Sequence, residues 1–117
     1  MSPEVKIDSV RSESSGTLGR AVSRGHGATL TLDSSGRPQP DAFTNSEAFL
    51  GGVSSCGVTL IEMHAQETGV PLTRMAVTIE GSRDPAVPRY QSVHMRFEFA
   101  GVSQAQAVDL VKVYRNR

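Results

Sequence analysis

Cysteine, lysine and aromatic residues are scarce in this chain. Its 117 residues include one cysteine, no tryptophan, two tyrosines and four phenylalanines. Lys6 and Lys112 are the only lysines, so arginine carries most of the positive charge. A single cysteine excludes an intrachain disulfide and a cysteine-rich metal site. A free thiol points to a reducing, cytoplasmic setting. Basic and acidic residues balance at 12 each. Zero net charge argues against a general nucleic-acid or membrane-surface binder. No apolar run approaches the roughly 18 residues of a membrane span, and the opening MSPEVKIDSV lacks a signal-peptide core. The length suits one domain covering residues 1–117. With 38% apolar and 5% aromatic residues the core is thin, and a partner chain would supply the missing burial.

What is present reads as a mixed fold. EVKIDSVRSE alternates, with Val5 and Ile7 on one face, and predicts a first strand that SSG (Ser14–Gly16) ends. GTLGRAVSRG predicts a second strand. ATLTLD predicts a third, with Ala28, Leu30 and Leu32 inward. SSGRPQPD is a loop by its Gly and Pro content. A helix starts at TNSE, where Thr44 as N-cap places Glu47 at a capping-box spacing. It runs to about Glu67, where Gly69 and Pro71 stop it. RMAVTIEG is a strand with Met75, Val77 and Ile79 inward, and SRDPAVPR is a loop. YQSVHMRFEFAG is the strongest strand, with Val93, Met95, Phe97 and Phe99 on one face. Ser103 and Gln106 start a second helix, whose apolar stripe is Val108, Val111 and Tyr114. The order βββαββα implies an α+β fold with largely antiparallel pairing. There is no repeat, low-complexity tract or linker.

The first helix places its only cysteine among glycine and serine, in LGGVSSCGVTLIEMH. Glycine costs about 1 kcal/mol relative to alanine in a helix interior. Gly51, Gly52 and Gly57 therefore mark a helix that another backbone approaches closely. Phe49, Val53, Cys56, Leu60 and Met63 step by four, three, four and three, and so share one face. Cys56 lies at the middle of that apolar stripe, which also suits a small core hydrophobe. His26, His64 and His94 lack metal-ligand spacing, and His64 lies about 12 Å of helical rise from Cys56. RGHG is a turn, Arg96 and Glu98 form a solvated strand face, and DSSG is too short to carry a motif. No serine nucleophile elbow is present.

The run TNSEAFLGGVSSCGVTLIEMHAQETGVPL resembles the OsmC/Ohr family through Ser46, Glu47, Leu50, Gly51, Gly52 and Cys56. The likeness continues through MAVTIEG, VHMRFEF and SQAQAVDLVKVY, over roughly residues 25 to 117. It implies an intertwined homodimer with two central helices between sheets to which both chains contribute. Many members reduce organic hydroperoxides with a peroxidatic cysteine that an arginine and a glutamate assist. A second cysteine then resolves the oxidised thiol. The resemblance puts the peroxidatic role on Cys56 and the glutamate on Glu47. Arg20, in preference to Arg24, takes the arginine's place. It implies no metal or organic cofactor.

Two features depart from that pattern. The arginine position does not align cleanly, and the chain ends at VYRNR without the resolving cysteine or the final strand. A one-cysteine enzyme needs an external thiol reductant for its sulfenic acid. Glu47 and Cys56 are nine residues apart, which on one straight helix means opposite faces and roughly 13 Å of rise. If both serve one site, Glu47 comes from a partner chain or lies ahead of the regular helix. Otherwise Glu47 only caps. The alternative to a peroxidase is an inactive dimer that binds a small hydrophobic ligand or senses redox state through Cys56.

Overall fold

The two helices begin where local capping chemistry dictates. In the computed structural model, helix α1 spans Asn45–Thr68 and helix α2 spans Gln104–Arg115. Ahead of α1, the Thr44 hydroxyl accepts from the Glu47 N–H at 3.2 Å, and the Glu47 carboxylate accepts from the Thr44 N–H at 2.9 Å. Ser103 and Gln106 make the same reciprocal pair at α2, at 3.2 and 2.9 Å. Each box satisfies two helix-end donors that would otherwise lack a partner. α1 ends one residue past the expected Glu67. Gly69 then takes φ +72°, a left-handed conformation that glycine adopts without strain.

Residues 5–87 and 89–116 are described. Glu4, the first residue of the first expected strand, and Pro88, within the expected 82–89 loop, lie outside them. The strands are β1 (Arg11–Ser14), β2 (Arg20–Gly25), β3 (Ala28–Asp33), β4 (Phe43–Thr44), β5 (Arg74–Ser82) and β6 (Ser92–Ala100). The chain divides into two compact units, Met1–Ala48 and Phe49–Arg117.

The first unit is a four-stranded sheet in the order β1-β2-β3-β4, antiparallel except for β3 against β4. It differs from expectation in three ways. β1 starts only at Arg11, and Val5, Ile7 and Val10 ahead of it are exposed rather than on a buried strand face. β2 starts at Arg20, because Gly16 and Gly19 take positive φ and the Arg20 N–H closes a turn onto the Thr17 carbonyl. β4 is an additional strand. Its two residues are too few to show any alternation, and its pairing with β3 is parallel. The expected inward face of β3 also fails at Ala28 and Leu30, which are exposed, while Leu32 is half-buried. The buried residue at its end is Asp33.

The second unit contains the core. β5 and β6 pair antiparallel from Arg74↔Ala100 to Ser82↔Ser92. Register sets Met75 opposite Phe99, Val77 opposite Phe97 and Ile79 opposite Met95. Except for exposed Val93, the expected apolar face of this ladder is half-buried. Ile61 and Ala65 of α1 and Leu110 of α2 form the buried centre. Met75, Phe97, Phe99, Val102 and Tyr114 pack around it. Two expected stripes are corrected here. α2 buries Leu110 and half-buries the expected Val111 and Tyr114, while Val108 is exposed. α1 buries Gly57, Ile61 and Ala65, a second line at i, i+4, i+8. The ladder packs against that line, so the Phe49, Val53, Cys56, Leu60, Met63 line is not the core face. Phe49 is 62% exposed and Met63 54% exposed.

Candidate functional site

Cys56 is a free, exposed thiol near the middle of α1. This corrects its reading as a core hydrophobe. Its apolar neighbours on the same helical line run from Phe49 to Met63, so the thiol lies in an open apolar strip. Phe49 stacks on Tyr90, with ring centroids 6.3 Å apart and planes inclined by 22°. The next residue, Gly57, is buried, and Tyr114 lies over it. A side chain at position 57 would meet the Tyr114 ring at 3.4 Å. The Tyr114 hydroxyl donates to the Val53 carbonyl at 3.2 Å, and the Thr59 hydroxyl donates to the Cys56 carbonyl at 3.3 Å. The nearest neighbour of the run at Gly57 is thus an aromatic ring of α2 rather than another backbone, at a distance that a methyl group would still fit and a larger side chain would not.

Arg20 opens β2 directly opposite Asp33 at the end of β3. Its Nε donates to Asp33 Oδ1 at 2.7 Å and its Nη2 to Asp33 Oδ2 at 3.1 Å. The outer side of the guanidinium meets Asp41, with Nη2 to Oδ1 at 2.6 Å and Nη1 to Oδ2 at 3.2 Å. Asp33 also accepts from the Gln39 N–H at 3.1 Å. The Arg20 side chain is 20% exposed, Asp33 1% and Asp41 69%. The Arg20 hydrogen bonds hold both carboxyls below the usual carboxylate range, and the two carboxylates raise the arginine further. Within the described residues of one chain Arg20 is therefore held between two aspartates.

Glu47 lies in the first turn of regular helix α1 and closes its capping box. Bonding from the Thr44 backbone N–H lowers its carboxyl from the ordinary value. Arg20 and Glu47 belong to the unit ending at Ala48, and Cys56 to the unit starting at Phe49. Among the described residues Arg20 pairs with Asp33 and Asp41, with no ion pair to Glu47. Sequence reasoning missed both aspartates. Asp33 stands first in the dismissed DSSG, and only the strand register, which puts it across from Arg20, reveals it.

Among the described residues no three His, Cys, Asp or Glu side chains gather as a metal cluster, and no helix is long and apolar enough to cross a membrane.

The sequence pattern of the OsmC-like protein family matches residues 38–117. No curated protein gives a significant sequence match. Solved structures share the fold. An OsmC-like protein from Mycoplasma pneumoniae superposes with a TM-score of 0.83 at 15% identity, covering 96% of this chain and 82% of that one. The organic hydroperoxide resistance protein OsmC of Legionella pneumophila gives 0.71 at 16% identity, covering 97% and 85%. The organic hydroperoxide resistance protein OhrB of Bacillus subtilis gives 0.62 at 13%, covering 95% and 84%. The family pattern includes α1 with Cys56 and continues through both strands of the ladder and α2. This chain belongs to the OsmC-like protein family.

Proposed function

We propose that this protein is a thiol peroxidase that reduces small organic hydroperoxides through Cys56, working as a homodimer. The observation that carries the proposal is the exposure of Cys56 within an apolar helical strip. Family membership and neighbours named for organic hydroperoxide resistance support it. The two compact units form one OsmC-like domain in this reading.

The chemistry follows from the thiolate. Cys56 sulfur attacks the distal oxygen of ROOH and the O–O bond breaks. Sulfur is oxidised to the sulfenic acid, and the alkoxide takes a proton to leave as ROH. A guanidinium favours the thiolate and stabilises negative charge on the departing oxygen. That role is assigned to Arg20. An external thiol condenses with the sulfenic acid to a mixed disulfide and releases water. A second thiol reduces the disulfide and returns Cys56. Such a cycle requires a reducing compartment, which the cytoplasm provides. Glu47 belongs to the regular part of α1, so the spacing argument leaves a second copy as its route to a shared site. No metal or organic cofactor takes part.

The test is intact mass after treatment of the reduced protein with cumene hydroperoxide, beside Cys56→Ser. One added oxygen in the parent, absent from the variant, is the expected result. An unmodified parent, under conditions that oxidise a free thiol, would refute the peroxidase and favour a ligand-binding module.

A further inference from the structure

Arg20 is gripped by two carboxylates of opposite exposure. Asp33 is buried and takes the inner edge, Nε and Nη2. The Gln39 N–H fixes its second oxygen as well. Asp41 is mostly exposed and takes the outer Nη1–Nη2 fork. These four bonds leave one guanidinium N–H unused. One positive and two negative groups give the cluster a net charge of minus one. An arginine in that state has little to offer a developing oxyanion, because its outer fork is occupied and its charge is overcompensated.

We propose that Asp41 is a releasable latch on Arg20, and that the outer fork it fills is the seat for the departing alkoxide oxygen. Asp33 is the positioning residue that keeps the guanidinium aimed while the seat is open. The inference rests on the peroxidase reading and on Arg20 as its arginine. The two grips differ in kind. A buried carboxylate cannot leave its partner without stranding a charge. A mainly exposed one exchanges its bonds for water at little cost. When Asp41 turns into solvent, both Nη nitrogens regain parallel N–H donors, the geometry suited to an oxygen anion. The Asp33–Arg20 pair then carries no surplus negative charge, and the donors are oriented before the O–O bond breaks.

The experiment follows Cys56 oxidation by cumene hydroperoxide, by intact mass over time, in the full chain. Asp41→Ala is expected to raise the rate by about two- to fivefold, the bias that one exposed ion pair sustains. The gain should vanish in an Arg20→Gln background, as the double-mutant cycle requires. Nitrogen NMR of the arginine side chains should show the Arg20 Nη groups freed in Asp41→Ala and still held in the parent, a change that a merely structural contact would not couple to rate. Asp33→Asn should slow oxidation. If that variant fails to fold, Asp41→Ala and Arg20→Gln decide alone. An unchanged or slower Asp41→Ala, with Cys56 still oxidised, overturns the latch and leaves the peroxidase standing. Cys56 unoxidised in every variant overturns both.

Discussion

Replacing Gly52 with alanine separates the cost of a flexible helix from the benefit of a close approach. Gly52 lies inside α1, and a Cβ added there meets nothing within 4 Å. Alanine should therefore stabilise the chain by the full propensity difference, about 1 kcal/mol. Spread over the unfolding entropy of a 117-residue chain, that is a rise of about 4 °C in Tm. Gly57→Ala should retain most of the same gain, since its Cβ meets the Tyr114 ring at 3.4 to 3.6 Å, an ordinary contact. Gly57→Val would push the ring away and break the Tyr114–Val53 bond, so its Tm should fall. The assay is thermal unfolding by circular dichroism across a dilution series. An unchanged or lowered Tm for Gly52→Ala at high dilution would refute the reasoning. A gain at high dilution that reverses at high concentration would mean that a second copy closes against this turn of α1.

Three further outcomes follow from the core, the thiol and the carboxylates. Leu110→Ala should cost about 2–5 kcal/mol in urea unfolding, whereas Val108→Ala should change stability by less than about 0.5 kcal/mol; equal losses would mean that α2 packs through its other face. Cys56 should react with a disulfide dye in the native protein without denaturant, and protection until unfolding would contradict its exposure. Asp33, Asp41 and Glu47 release their protons more readily folded than unfolded. Their contribution is therefore present above the unfolded carboxyl values and lost as pH falls through the lower folded ones. Stability should stay level near neutrality and fall below about pH 4, with a shallower fall in Asp33→Asn. An acid limb unchanged in that variant would contradict the Arg20–Asp33 pairing.

The elements legible in the sequence are those decided by near neighbours or by burial on one face. Thr44 with Glu47 and Ser103 with Gln106 carry their helix starts within four residues. β5 and β6 show period-two alternation because one face meets the helices. β4 was not legible, because two residues hold no period and its parallel partner is distant in sequence. α1 carries two apolar lines. The one with larger side chains, Phe49 to Met63, outweighs Gly57, Ile61 and Ala65 in any hydrophobicity count. The choice between them depends on where the ladder and Leu110 lie, which a helical period does not contain. The candidate site divides in the same way. Cys56 stands out as the only thiol, but the partners of Arg20 depend on the register of β2 against β3. Asp33 looks like ordinary loop punctuation until that register is known.

The β5–β6 ladder has a dynamic consequence. Among the described residues each strand pairs on one side only. In an antiparallel pair successive N–H groups point alternately toward the partner strand and away from it. Amide exchange along Arg74–Ser82 and Ser92–Ala100 should therefore alternate between slow and fast from one residue to the next. A strand added to either edge would slow the fast set on that strand and leave the slow set unchanged. The ladder is thus its own reporter: the same spectrum that maps its pairing would register the arrival of another chain at its edge, residue by residue.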